Sequence, residues 1–240
     1  MHYSIYRIAL IIMLKMLNID SIYLIEGDLS VRLILLLSEG LLVTIQIFVL
    51  TLFFAIPLGM VVTFGTRAKN RIVKGIVGIY ISIMRGTPLI LQLAVVYYGP
   101  YYIFGGKIDR FAAAIIAFSL NYAAYFSEIY RGGIDSIPKG QYEAGEVLGF
   151  TKSQIFFKLI LPQVIKRILP AISNEVITLV KDTALVMAIG VAEIYRAATN
   201  EMSRISSFQP LFVAGVFYYV MNLIIAKLFK FAEKKLNYYR

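Results

Sequence analysis

Six polar side chains fall inside the oily stretches of this chain: Asn121, Asn174, Glu175, Thr178, Lys181 and Asp182. Together they offer acid, base, hydroxyl and amide, a set suited to holding a polar solute reversibly. Catalysis is poorly supplied. There is no Cys, so thiolate nucleophiles, disulfides and Cys-ligated metals are excluded. The only histidine is His2, close to one end, which removes imidazole relays and His-based triads. No Gly-x-x-x-x-Gly-Lys-Ser/Thr run is present, so the chain has no P-loop for a nucleotide. No two carboxylates are spaced for acid–base hydrolysis. The expectation is a non-catalytic protein with no metal and no cofactor of its own.

Polar residues within a membrane span are costly, and they face a cavity or one another. Asn174, Thr178 and Lys181 follow i, i+4, i+7 spacing and form one stripe on a helix. Lys181 and Asp182 are adjacent and point about 100° apart, so they need not pair. The stripe has two readings: it lines a translocation path, or it joins helices at a dimer interface, as polar groups in membranes also do.

The elements that position these residues are apolar. The chain has 240 residues, 59% of them hydrophobic, with mean hydropathy +0.75, above the level of soluble domains. Several runs approach the ~20 residues that span a bilayer. About five spans result: Leu33–Phe64, Ile76–Phe104, Phe111–Ile129, Ile168–Ile189 and Leu211–Phe229. Arg85 is placed near one membrane surface, where Arg85, Gly86, Thr87 and Pro88 read either as a hinge or as a snorkelling Arg beside a tolerated Pro; Gly132 and Gly133 are read as ending the third span. Tyr97, Tyr98, Tyr101 and Tyr102 read as an interfacial aromatic belt. The fold class is therefore an all-α integral membrane protein. Residues 31–240 form one transmembrane domain, with 1–30 as an N-terminal extension, interfacial in character.

Net charge is +10, which in a soluble protein would raise nucleic-acid binding. Here the basic residues cluster in short loops: Arg67, Lys69, Arg71 and Lys74, then the tail from Lys227 to Arg240. Membrane topology accounts for them, and nucleic acid is not expected as a partner. The positive-inside rule puts the N-terminus outside and the C-terminus in the cytoplasm, together with the wet segment at about 132–167.

Within that segment, "IDSIPKGQYEAGEVLGF" offers Asp135 or Ser136 as a helix cap and Pro138 in a first turn. Gly149 supplies a stop. Thr151 and Gln154 then have capping-box spacing, and Phe150 with Ile155 fits a hydrophobic staple. The sequence predicts two short helices joined at a stiff elbow.

This stretch resembles the cytoplasmic signature loop of permease subunits in ABC importers, E-A-A, three residues, G, nine residues, I, one residue, L-P. Here it reads Glu143-Ala144-Gly145, Gly149, then Leu159, Leu161 and Pro162, with Gly145 in place of the second Ala and Leu159 in place of Ile. Gly145 lowers helix stability by about 1 kcal/mol relative to Ala, and it lets a partner approach closely. Arg85–Gly99 ("RGTPLILQLAVVYYG"), "NYAAYFSEIYRGGIDSIPKGQYEA" and Leu169–Leu185 ("LPAISNEVITLVKDTAL") are similar to further blocks of polar amino-acid permeases, with Ala184 where Ser is common. The likeness extends over about Ser30–Tyr239.

The resemblance implies the permease subunit of an amino-acid importer in a bacterial inner membrane. Such subunits dimerise, homo- or heteromerically, and dock ATP-binding subunits, which hold the ATP and Mg, through the loop. They receive cargo from an extracytoplasmic binding protein. Glu143, Ala144, Gly145, Gly149, Leu161 and Pro162 become the ATPase-coupling residues. "SNEVI", with Glu175, looks like the form in permeases for histidine, arginine and lysine, implying cationic cargo. The alternative is a stand-alone secondary transporter or channel, for which intramembrane charges are equally expected.

Overall fold

The computed structural model describes residues 27–236, with side chains from Arg32 onward. Every element among them is helical. Of the expected N-terminal extension, 1–26 lie outside the described residues, and 27–30 begin the first helix. The helices are α1 (Gly27–Thr66), α2 (Arg71–Gly86), α3 (Leu89–Phe104), α4 (Arg110–Asp135), α5 (Lys139–Val147), α6 (Leu161–Asp182), α7 (Ile194–Ile205) and α8 (Gln209–Leu236). A short turn, Lys152–Gln154, and a π-helical stretch, Ile155–Ile160, run straight into α6; a 3-10 stretch, Thr183–Ile189, follows it.

The centre is α4. Its small residues Ala113, Ala114, Ala117, Ala123 and Ala124 are buried, so neighbouring backbones can come close, the usual means of joining helices in lipid. Against it α1 packs over the greatest length, and α2, α3 and α6 also lean on it. Phe118, Tyr122 and Phe126 fill the core with Ile47, Leu93, Leu179 and Val186. Leu35, Phe53 and Phe64 of α1 and Leu228 of α8 are exposed and apolar, as lipid-facing side chains are.

Among the described residues, three helices are long and apolar enough to cross a membrane: Arg32–Thr66, Arg110–Asp135 and Gln209–Leu236. The pair α2 and α3 makes a fourth if it crosses as one span. Two expected spans thus look different. The second, Ile76–Phe104, is broken by a bend of 111°. Pro88 lacks the N–H a continuing helix needs and disfavours helical geometry at Thr87, which is extended. The fourth, Ile168–Ile189, starts earlier, at Leu161, and Lys166, Arg167, Glu175, Lys181 and Asp182 interrupt the apolar surface of α6.

Candidate functional site

Five of the six polar candidates lie on α6. Glu175, Thr178 and Asp182 follow i, i+3, i+7 and share a face. Asp182 accepts a 2.7 Å hydrogen bond from the hydroxyl of buried Tyr122 on α4. Glu175, half-buried, is within electrostatic reach of Asp182 and Arg85. Asn174 and Lys181 are exposed and turn away from this chain's own core, with Thr178 at the boundary.

Asn121 is held apart from that face. It is buried, and its amide donates to the Met84 carbonyl and to Gln92 Oε1, both at 2.9 Å. Gln92 in turn donates to Thr87 Oγ1 at 2.8 Å and to Met84 O at 2.9 Å. Breaking a helix strands backbone carbonyls, and within a bilayer these must find donors in the protein. Asn121 and Gln92 supply them. Arg85, placed near a membrane surface by sequence, lies in the last turn before this break. Its guanidinium lies 5.4 Å over the Tyr125 ring and 3.3 Å from Glu128, which Arg131 also engages at 2.8 Å.

The elbow is closed on both sides. The Phe150 N–H donates to Gly145 O at 3.0 Å and the Gly149 N–H to Glu146 O at 2.9 Å, with Gly149 at φ +75, which is the Schellman arrangement. Thr151 and Gln154 form a reciprocal capping box, side chain to backbone in both directions. Phe150 packs in one cluster with buried Ile155 and Ile160. Gly145 is buried, and an added Cβ would stand 2.7 Å from Ile155 Cγ1. The close approach it permits is internal, bringing α5 onto the π-helical stretch. Glu143, Ala144, Glu146 and Gly149 are exposed, Leu161 is half-buried and Pro162 exposed.

Two local expectations are corrected. Asp135 and Ser136 do not cap α5. Asp135 ends α4 and pairs with Arg67 at 2.7 Å, while Ser136 donates to Gly133 O at 2.7 Å. The N-cap of α5 is Pro138, without a side-chain bond. Gly132 and Gly133 do not end the third span, because α4 runs on to Asp135 and an added Cβ at Gly133 would lie 2.1 Å from Ile168 Cγ2. Helix contact, not helix termination, is what that glycine permits.

Sequence reasoning missed the partners of its own candidates, Tyr122 and Gln92, and it missed Val147 and Leu148. These two are 88% and 69% exposed at the tip of the elbow. Their signal was available: two apolar residues closing an otherwise polar helix directly before its glycine stop.

The model of the family described as "Binding-protein-dependent transport system inner membrane component" matches residues 55–238. The chain belongs to this family. Among its relatives, the arginine transport system permease protein ArtQ of Bacillus subtilis is 42% identical over 200 residues, covering 83% of this chain and 91% of the relative. A putative glutamine transport system permease protein, GlnP of Rickettsia felis, is 38% identical over 204 residues, covering 85% and 94%. The solved structure of an amino acid ABC transporter with histidines superposes with a TM-score of 0.80 at 34% identity, covering 86% of this chain and 96% of that one. As an inner-membrane transport component, the chain is a non-catalytic permease subunit of an amino-acid ABC importer. That membership decides against the stand-alone carrier.

Proposed function

We propose that this permease forms the translocation path for a cationic amino acid, with Glu175 and Asp182 as its anionic wall and the α5 elbow as the coupling point to a separate ATP-binding subunit. The elbow faces the cytoplasm, with the N-terminus outside. A second permease subunit, identical or not, completes the path, and an extracytoplasmic binding protein delivers the cargo. ATP and Mg are held by the ATP-binding partner.

The observation that carries this reading is the shared face of Glu175, Thr178 and Asp182. In a water-poor cavity, a carboxylate forms charge-assisted hydrogen bonds with guanidinium or ammonium that are about twice as strong as neutral ones. Asn174 and Lys181 border the face, and Lys181 suits the α-carboxylate of the same cargo. Asn121 supports the site indirectly by fixing the break that brings Arg85 near Glu175. On the elbow, Glu143, Ala144 and Gly149 present the docking surface, with Val147 and Leu148 as its apolar tip. Gly145, Leu161 and Pro162 fix its shape. The arginine permease among the relatives agrees with this cargo.

The test is nucleotide hydrolysis by the assembled importer in the presence of its binding protein and arginine, lysine, histidine or glutamine. Stimulation by the three cationic amino acids, abolished by Glu175→Gln, is the expected result. Preference for glutamine overturns the cargo assignment.

A further inference from the structure

A polar cavity lies at the other end of α4 from the elbow, and the transport path described above leaves it unused. Arg110 opens α4, Arg196 lies in the first turn of α7, and Gly190 sits between them at φ +84. An added Cβ at Gly190 would stand 2.8 Å from Arg196 Nη1 and 2.9 Å from Arg110 Nη1. The two Nη1 atoms are therefore no more than about 6 Å apart, close enough for mutual repulsion to matter. Arg110 donates through Nε to the Tyr97 hydroxyl at 3.1 Å and through Nη1 to Gly190 O at 3.4 Å. Arg196 Nη1 is buried and has no hydrogen-bond partner among the described residues. Among the described residues, neither guanidinium forms an ion pair.

Both line a cavity of about 510 Å³ with Tyr97, Thr199 and Asn200, and no acidic side chain lines it. An adjoining hollow shares Tyr97 and Tyr98 and adds Lys107. Asp109 and Glu193 lie within electrostatic reach of Arg110 and Arg196, respectively, but neither lines the cavity; two convergent cations, one with an N–H that no described residue accepts, leave a place for a further anion. The planar fork of a guanidinium matches a planar carboxylate, which it binds through parallel bonds.

We propose that this cavity binds a carboxylate, bridged between Arg110 and Arg196. On the importer reading the cavity opens on the extracytoplasmic side, so that part of the inference rests on the orientation given above. Two sources carry the group: a free amino acid at the mouth of the path, or an acidic side chain of a protein seated on that face.

The experiment uses the permease assembled with its ATP-binding and second permease subunits in nanodiscs. In one arm, saturation-transfer NMR measures N-acetylglycine, with N-acetylglycinamide and inorganic phosphate as comparisons. In the other, the half-saturating concentration of the binding protein is read from nucleotide hydrolysis. Arg110→Gln and Arg196→Gln each weaken one of these by at least tenfold, and Arg196→Lys, which keeps charge but not the fork, falls between. Loss in the first arm assigns the site to a free carboxylate, and loss in the second to a protein side chain. No change in either arm in variants that melt like wild type, or equal binding of the amide, or preference for phosphate, overturns the inference. If hydrolysis does not respond to the binding protein even in wild type, the importer reading falls, while the NMR arm still decides the cavity.

Discussion

Gly149→Ala isolates what the left-handed residue does for the elbow. At φ +75 an L side chain collides with its own backbone, at a cost of roughly 1–2 kcal/mol. Replacing glycine also removes unfolded-state freedom, which returns about 0.4–1 kcal/mol. Nothing lies within 4 Å of where the Cβ would stand, so no packing term enters. The net is about 1 kcal/mol against the native turn, which is roughly a fivefold rise in local opening. Three amides report it, because Leu148, Gly149 and Phe150 donate to Ala144, Glu146 and Gly145 at 3.1, 2.9 and 3.0 Å. Hydrogen exchange across these residues in nanodiscs is the assay. Asparagine tolerates the left-handed region, so Gly149→Asn is expected to exchange close to wild type. If Asn and Ala accelerate exchange equally, backbone conformation is not the cause and the reasoning fails. Gly149→Asp adds a carboxylate beside exposed Glu146, and is expected to weaken stimulation of the ATP-binding partner while leaving membrane insertion intact.

Gly133→Ala forces a Cβ to 2.1 Å from Ile168 Cγ2, and overpacking of this kind costs about 1–3 kcal/mol; it should lower thermal stability in detergent. Ile168→Ala is destabilising by itself, so the check is a double-mutant cycle: Gly133→Ala should cost much less in the Ile168→Ala background, and an equal cost in both backgrounds would remove the α4–α6 contact as the explanation. Tyr122→Phe deletes the donor to Asp182 in the core, a loss of about 1–3 kcal/mol. Thermal inactivation should come earlier, and an unchanged profile would mean that Asp182 is satisfied without Tyr122.

The elbow was legible because its devices are local. A capping box spans Thr151 to Gln154, and a Schellman stop needs only one glycine, so neighbours in sequence carry the whole signal. The long apolar helices α1 and α8 were legible for a similar reason, since length and oiliness suffice. The bend at Pro88 was legible as one of two readings of Arg85–Pro88, yet the oily residues on both sides joined α2 and α3 into one expected span, because hydropathy takes no account of a missing N–H. α6 was read as a span from Ile168 onward despite its charges, and those same charges are what make it a candidate site. Asn121 is the harder case, because a buried amide looks alike in sequence whether it faces a solute or supports a neighbouring backbone; its bonds to Met84 and Gln92 cross between helices.

The elbow and the polar face belong to one rod. From the capping box at Thr151, the chain stays helical through Ile155–Ile160 and α6 to Asp182, about 45 Å at 1.5 Å per residue. A push on α5 reaches this rod through Gly145, whose missing Cβ sets α5 directly on Ile155 and Leu159. Two places along the rod are soft. In the π-helical turn the Leu161 N–H reaches back to Phe156 O, ahead of Pro162, and Pro170 deprives α6 of one more internal bond. Gln163 stiffens the first of these by donating its side-chain amide to Leu159 O at 2.7 Å. Beyond Pro170 the rod is clamped to α4 by the Tyr122–Asp182 bond. If the ATP-binding partner displaces the elbow as proposed above, the Tyr122–Asp182 bond makes Asp182 the pivot, and Glu175, about two turns away, is the part of the polar face that moves.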